Sequence, residues 1–135
     1  MIEYMKRDVA IWNINSFAEF YMQIAEKYKK DYMASLVRIR EERARFEAEL
    51  SRIEGVRVIP SQANFVMVEL VEYISSKELL KILLCKYDIL IKELTDKTGG
   101  RNLLRLAVRS TKENDTLIEA LRECLQQSHF WQIGV

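Results

Sequence analysis

Side chains able to do chemistry are few in this sequence of 135 residues, and their positions restrict what they can do. There is one histidine, His129, near the C-terminus, and there are two cysteines, Cys85 and Cys124, each isolated in an apolar context with helical spacing. A metal centre needs several ligands converging at coordination distance, and no short-range cluster supplies them. Two buried thiols and a tail histidine are the expectation. A Ser-His-Asp or Cys-His hydrolase would have to route its proton transfers through that one histidine, which disfavours this kind of nucleophilic catalysis. Gly99-Gly100 lacks the glycine spacing of a phosphate loop and no helix N-terminus follows it, so a flexible loop is expected there. Arg105 stands third in the apolar run Leu103-Leu104-Arg105-Leu106-Ala107-Val108. An arginine in that place can simply pair with a neighbouring glutamate.

A chain of this length makes one domain, which buries roughly two thirds of its unfolded surface. Hydrophobic residues at 49% and charged residues at 30% give a globular balance, so the chain is expected to fold. With 21 Lys and Arg against 20 Asp and Glu, the net charge of +1 offers no field that would favour nucleic acid or an acidic membrane. The first residues are interrupted by charge and lack the apolar core of a secretory signal. No stretch approaches the roughly 18 apolar residues of a membrane span. The expectation is a soluble, cytoplasmic protein.

The elements that would carry these side chains can be read from periodicity. Ser16-Phe17-Ala18-Glu19 has the form of a capping box and predicts a helix from Ser16, with Phe17, Phe20, Tyr21, Ile24 and Tyr28 on one face. The polar run Glu26 to Asp31 predicts a bend or break. A second, long helix follows, with a seam of Leu36, Ile39, Arg43, Phe46, Leu50 and Ile53, a solvated charged face opposite, and a stop at Gly55. Beyond Gly55 the period becomes extended. Strands are predicted at 56–59 and 65–70, joined by Pro60-Ser61-Gln62-Ala63-Asn64. Ser75-Ser76-Lys77-Glu78 is a second capping box, opening a helix with Leu79, Leu80, Ile82, Leu83 and Leu84 mostly buried, which stops near Tyr87-Asp88. A third strand is predicted at Ile89-Leu90-Ile91, a loop from Thr95 to Asn102, and a fourth strand at 103–108. Thr111 caps a final helix with Leu117, Ile118, Leu121 and Leu125 inside, and Ser128 to Val135 form a short tail. This order predicts an α+β fold, a mainly antiparallel four-stranded sheet covered by helices on one face.

Four stretches, in their order and spacing, resemble one group of proteins. They are Trp12-Asn13-Ile14-Asn15-Ser16, Pro60-Ser61-Gln62-Ala63-Asn64-Phe65, Tyr87-Asp88-Ile89-Leu90-Ile91-Lys92, and Leu104-Arg105-Leu106-Ala107-Val108-Arg109 followed by Glu113-Asn114. From about Val9 to Leu125 the chain resembles the C-terminal small domain of fold-type I, pyridoxal-phosphate-dependent class I and II aminotransferases. Within them it is most similar to the histidinol-phosphate aminotransferase and threonine-phosphate decarboxylase branch. The resemblance implies that residues 1–15 are an interdomain segment, residues 16–127 the small domain and residues 128–135 a tail. It implies that Arg105 holds the substrate's carboxylate. Lys92 stands where the branch commonly has an arginine able to touch a substrate phosphate or carboxylate; lysine keeps the charge and loses the fork. Arg109 matches members similar to the decarboxylase.

Such enzymes hold pyridoxal phosphate through a lysine and a carboxylate of their large domain, for which this chain has no room. Ser76-Lys77 resembles the family's Ser-Lys dipeptide but lacks the Gly and Arg that follow the cofactor lysine, so Lys77 is expected to be a surface lysine. The implied function is that of a substrate-binding domain of an aminotransferase acting on an amino acid or oxo acid, inactive by itself and binding no cofactor alone. Residues 1 to about 14, deprived of the large domain, are expected to be disordered or to cling to another chain, and the exposed face of the first helix to drive a homodimer. The alternative is a self-contained α+β interaction module that dimerises through its long helix, with no ligand for Arg105. Phe65 is the only aromatic residue in the predicted strands, which speaks against RNA binding on the sheet.

Overall fold

The computed structural model describes residues 2–6, 14–71 and 74–133, with side chains for all of these except 5, 6 and 127–133. Two compact units are distinguished, 1–36 and 37–135. In chain order the elements are helices α1 (Ile2–Lys6) and α2 (Ser16–Leu50), strands β1 (Val56–Ile59) and β2 (Phe65–Leu70), helix α3 (Ser76–Tyr87), strands β3 (Lys92–Glu93) and β4 (Leu103–Ala107), and helix α4 (Thr111–Ile133). Among the described residues no helix is long and apolar enough to cross a membrane.

The predicted break at residues 26–31 is absent, those residues being helical within α2. The run holds no Gly or Pro, its Glu and Lys are good helix formers, and Lys29 bonds Glu26 one turn back at 3.1 Å. The cap also differs from expectation. Asn15, not Ser16, accepts the Ala18 amide at 2.9 Å, and Ser16 is the first helical residue. The expectation for residues 1–14 falls largely outside the described residues; of these, Ile2–Lys6 form a five-residue helix.

In the second unit, the four strands are antiparallel in the order β1-β2-β4-β3. Alternation along β2 and β4 sends Val66, Val68, Leu70, Leu104 and Leu106 to one face, where Phe46 and Leu50 of α2, Leu79 and Leu83 of α3 and Leu117, Ile118 and Leu121 of α4 complete the core. The helices thus cover one face of a four-stranded sheet, as the α+β reading required. Only the C-terminal part of the predicted α2 seam is buried: Phe46, Leu50 and Ile53 are inside while Ile39 is exposed. Arg43, which interrupts that seam, donates to the Ala63 carbonyl at 2.9 Å and so braces the β1–β2 turn.

Several boundaries differ from those read in the sequence. Helix α2 ends at Leu50, and a turn follows before Gly55, which adopts φ 78°. Helix α3 does carry the Ser75–Glu78 capping box and ends at Asp88 in the left-handed conformation, but Ile82 and Leu84 face solvent. The third strand is Lys92–Glu93 rather than Ile89–Ile91. The Ile89 amide bonds back to Leu83 O at 3.0 Å, which ties this stretch to α3 and off the ladder. Within the predicted loop of residues 95–102 a 3-10 turn spans Thr95–Lys97, and Gly99 and Gly100 both take positive φ. Ser110, not Thr111, caps α4. Its hydroxyl receives the Glu113 amide while Glu113 accepts the Ser110 amide at 3.2 Å. Helix α4 continues to Ile133, so residues 128–133 of the expected tail are helical. Of the two cysteines only Cys124 is buried, its thiol pushed up chiefly by that burial; Cys85 is exposed. The one histidine, His129, has its side chain outside the described residues.

Candidate functional site

A cavity forms where β3 is too short to cover its partner. Lys92 lies opposite Arg105 and Glu93 opposite Leu104, and the ladder ends there. Asp88, at φ 54° and ψ 31°, turns the chain out of α3, and the tether of Ile89 to Leu83 keeps residues 88–91 away from the end of β4. On its other side that end stays paired, with the Val108 amide bonded to Asn64 O at 2.9 Å. The opening between them is a cavity of about 600 Å³ whose walls include Lys92, Arg105, Ala107, Arg109, Glu113 and Asn114. All three cations singled out in the sequence therefore reach one place.

Their electrostatic situations differ. Leu104 and Leu106 face the core, so Arg105 between them projects from the opposite face of the sheet and is exposed. No described residue forms an ion pair with it. Glu69, the acid on the same face, is taken up by Arg57 and by Arg101, the latter at 2.8 Å. The Arg105 guanidinium instead lies 5.3 Å from the centroid of the Phe65 ring. Lys92, directly across the ladder, is likewise exposed and forms no ion pair among the described residues. Like charges facing each other across a strand pair repel, so this pair favours an anion between its heads. Arg109 is already neutralised. It pairs with Glu113 at 2.6 Å, and the Arg109 and Ser110 hydrogen bonds hold the Glu113 carboxyl down to about 2.

The wall containing Arg109 is fixed by a network that periodicity could not reveal. Asn114, 1% exposed, donates to Glu42 at 2.9 Å and to the Arg109 carbonyl at 3.1 Å, and its Oδ1 accepts the Arg109 amide at 3.1 Å. Glu42 also accepts from Arg45 at 2.6 Å and Thr111 at 2.8 Å. The Arg45 hydrogen bond, aided by those of Asn114 and Thr111, lowers the Glu42 carboxyl to about 2 against the burial that opposes it. A second network supports β3: the buried Ser76 hydroxyl donates to Glu93 at 2.9 Å and meets the Thr95 hydroxyl at 2.7 Å. Neither network has a signal in the sequence, since their members lie far apart along the chain.

The lysine of the Ser-Lys dipeptide does not fit a cofactor imine. Lys77 is exposed in the first turn of α3, outside the cavity, and bonds Asp96 at 2.9 Å. The Asp96 carboxylate holds its ammonium above the ordinary lysine range, the reverse of what a nucleophilic amine needs. Among the described residues no group of three or more His, Cys, Asp or Glu side chains is placed to hold a metal ion.

Known proteins resemble this chain in sequence and in fold. The model of the class I and II aminotransferase family matches residues 3–121. Over 121 residues the chain is 34% identical to the L-serine phosphate decarboxylase of Sulfurospirillum multivorans, a match covering 87% of this chain and 31% of that protein. It is 33% identical to the CMP-5'-(3-aminopropyl)phosphonate synthase of Streptomyces rubellomurinus over 88% of this chain and 19% of that protein. Among solved structures, the histidinol-phosphate aminotransferase of Clostridium acetobutylicum superposes with a TM-score of 0.78 at 34% identity, covering 93% of this chain and 37% of that one. The chain thus spans between 19% and 31% of the length of these two curated relatives.

Proposed function

Because the chain belongs to the class I and II aminotransferase family, whose members depend on pyridoxal phosphate, we propose that it is the substrate-binding small domain of such an enzyme. In this reading residues 1–15 lead from a large domain, 16–127 form the small domain, and 128–135 follow it. The small share of its relatives' length that the chain spans supports this division. Arg105 receives the carboxylate of an amino or oxo acid through its planar fork, and Lys92 offers a point charge to a second anionic group, a phosphate or carboxylate. Arg109, bound to Glu113, has a subordinate part.

The observation that carries this reading is the placement of two uncompensated cations, directly opposite each other, at the mouth of one cavity. An arginine that fixes a carboxylate orients the substrate but moves no proton at its α-carbon. The chain by itself is therefore inactive, and the cofactor and its lysine belong to the large domain. The protein works in the cytoplasm, with neither nucleic acid nor membrane as partner.

The test is titration of the chain with O-phospho-L-serine, followed by the amide and arginine side-chain resonances. Binding is expected to move the Arg105 and Lys92 signals, to be lost in Arg105→Gln, and to be weakened in Lys92→Met. Arg109→Gln is expected to bind like the parent. Equal affinity in Arg105→Gln and the parent chain would refute the assignment.

A further inference from the structure

An exposed arginine beside a like charge needs something to hold it, and the register across β2 and β4 supplies it. Phe65 opens β2 and lies opposite Ala107, while Arg105 lies opposite Met67, so Phe65 and Arg105 are diagonal neighbours on the outer face of the sheet. Diagonal neighbours stand about 7–8 Å apart at their α-carbons, within reach of an aromatic ring and a long side chain. The small side chain of Ala107 leaves the ring free to lean toward Arg105, and the guanidinium carbon rests 5.3 Å from the ring centroid. A cation is attracted to a ring by charge, without spending an N–H donor. An ion pair would do the opposite: Arg109 gives its donors to Glu113, and Arg101 gives its own to Glu69.

We propose that Phe65 is a positioning residue, holding the Arg105 guanidinium against repulsion by Lys92 while leaving its donors available to a ligand carboxylate. This rests on the reading of Arg105 as the carboxylate ligand. It adds a specificity consequence: a ring can brace the fork of an arginine, but gives a lysine at 105 no in-plane donors to present.

The full chain tests this by nuclear magnetic resonance, with O-phospho-L-serine as the probe. In the parent chain the δ-methylene and Nε–H protons of Arg105 are expected upfield of those of the other exposed arginines, through the ring current of Phe65. Phe65→Leu is expected to return them to ordinary shifts and to raise the dissociation constant about two- to fivefold, the worth of an exposed cation–ring contact. Phe65→Tyr, which keeps the ring, is expected to preserve both. Ordinary Arg105 shifts in the parent chain, or an unchanged dissociation constant in Phe65→Leu, would overturn the proposal while Arg105 remains the ligand. If Phe65→Leu loses the folded amide spectrum, the parent shifts and Phe65→Tyr decide. Probe binding that ignores Arg105→Gln would instead remove the underlying ligand assignment, and this proposal with it.

Discussion

Replacing Glu42 by glutamine should make the second unit measurably less stable, in a way that fades with acid. The Glu42 carboxylate is only 14% exposed and is surrounded by donors from Arg45, Thr111 and Asn114. They lower its pKa from an ordinary 4.5 to about 2. Every tenfold preference of the folded chain for the ionised carboxylate is worth about 1.4 kcal/mol, so the charge contributes about 3 kcal/mol at neutral pH. The folded value is depressed, so this stabilisation is present in full above the ordinary carboxylate pKa and is lost as pH falls through 4.5 toward 2. By pH 3 about 1.4 kcal/mol of it should remain. Urea unfolding of the parent chain and Glu42→Gln, at pH 7 and pH 3, reads the difference directly. A gap of about 2–3 kcal/mol at neutral pH that narrows by about half or more at pH 3 is expected. Other carboxylates titrate in both proteins and cancel from the comparison. A gap that stays constant with pH would mean that shape and hydrogen bonding, not charge, explain the effect of the substitution. No gap at all would refute the clamp.

Two further outcomes follow from the same geometry. Ser76→Ala removes a buried hydroxyl from Glu93 and Thr95 and should cost about 1–3 kcal/mol in the same unfolding assay; its expected signature is a weakened Lys92 response to O-phospho-L-serine, because Glu93 adjoins Lys92 in β3. Phe17, Phe20, Tyr21, Tyr28 and Tyr32 are all exposed along α2, and light scattering over a concentration series should show the mass rising above 16.0 kDa. A concentration-independent monomer would count against self-association through that helix.

The alternation of β2 and β4 made the sheet legible, because a strand with one buried face must alternate, and that alone directs Arg105 away from the core. Of the two predicted capping boxes, Ser75–Glu78 does open α3, whereas Ser16–Glu19 lies one residue late because Asn15 caps α2; at α4 the cap is Ser110 and not Thr111. The misplaced third strand shows what periodicity omits. Ile89-Leu90-Ile91 has the composition of a strand, but a left-handed Asp88 and one backbone bond to Leu83 withdraw it, and that withdrawal is what opens the cavity. The polar run Glu26–Asp31 marks no boundary in α2, because it holds no Gly or Pro and its Glu and Lys favour the helix. For the site, the sequence could name cations but not count their partners. That Arg109 is neutralised and Arg105 is not depends on which acids the fold brings near each, and Glu69 is diverted to Arg57 and Arg101 only by the β1–β2 register and the turn before β4.

The proposed division of labour, with substrate held here and the imine-forming lysine in another domain, is tested most directly by adding pyridoxal phosphate to the purified chain, reducing with borohydride and mapping the peptides. No stoichiometric adduct is expected. A single stoichiometric adduct at Lys77 or Lys92 would contradict it and make this chain a cofactor-binding unit in its own right.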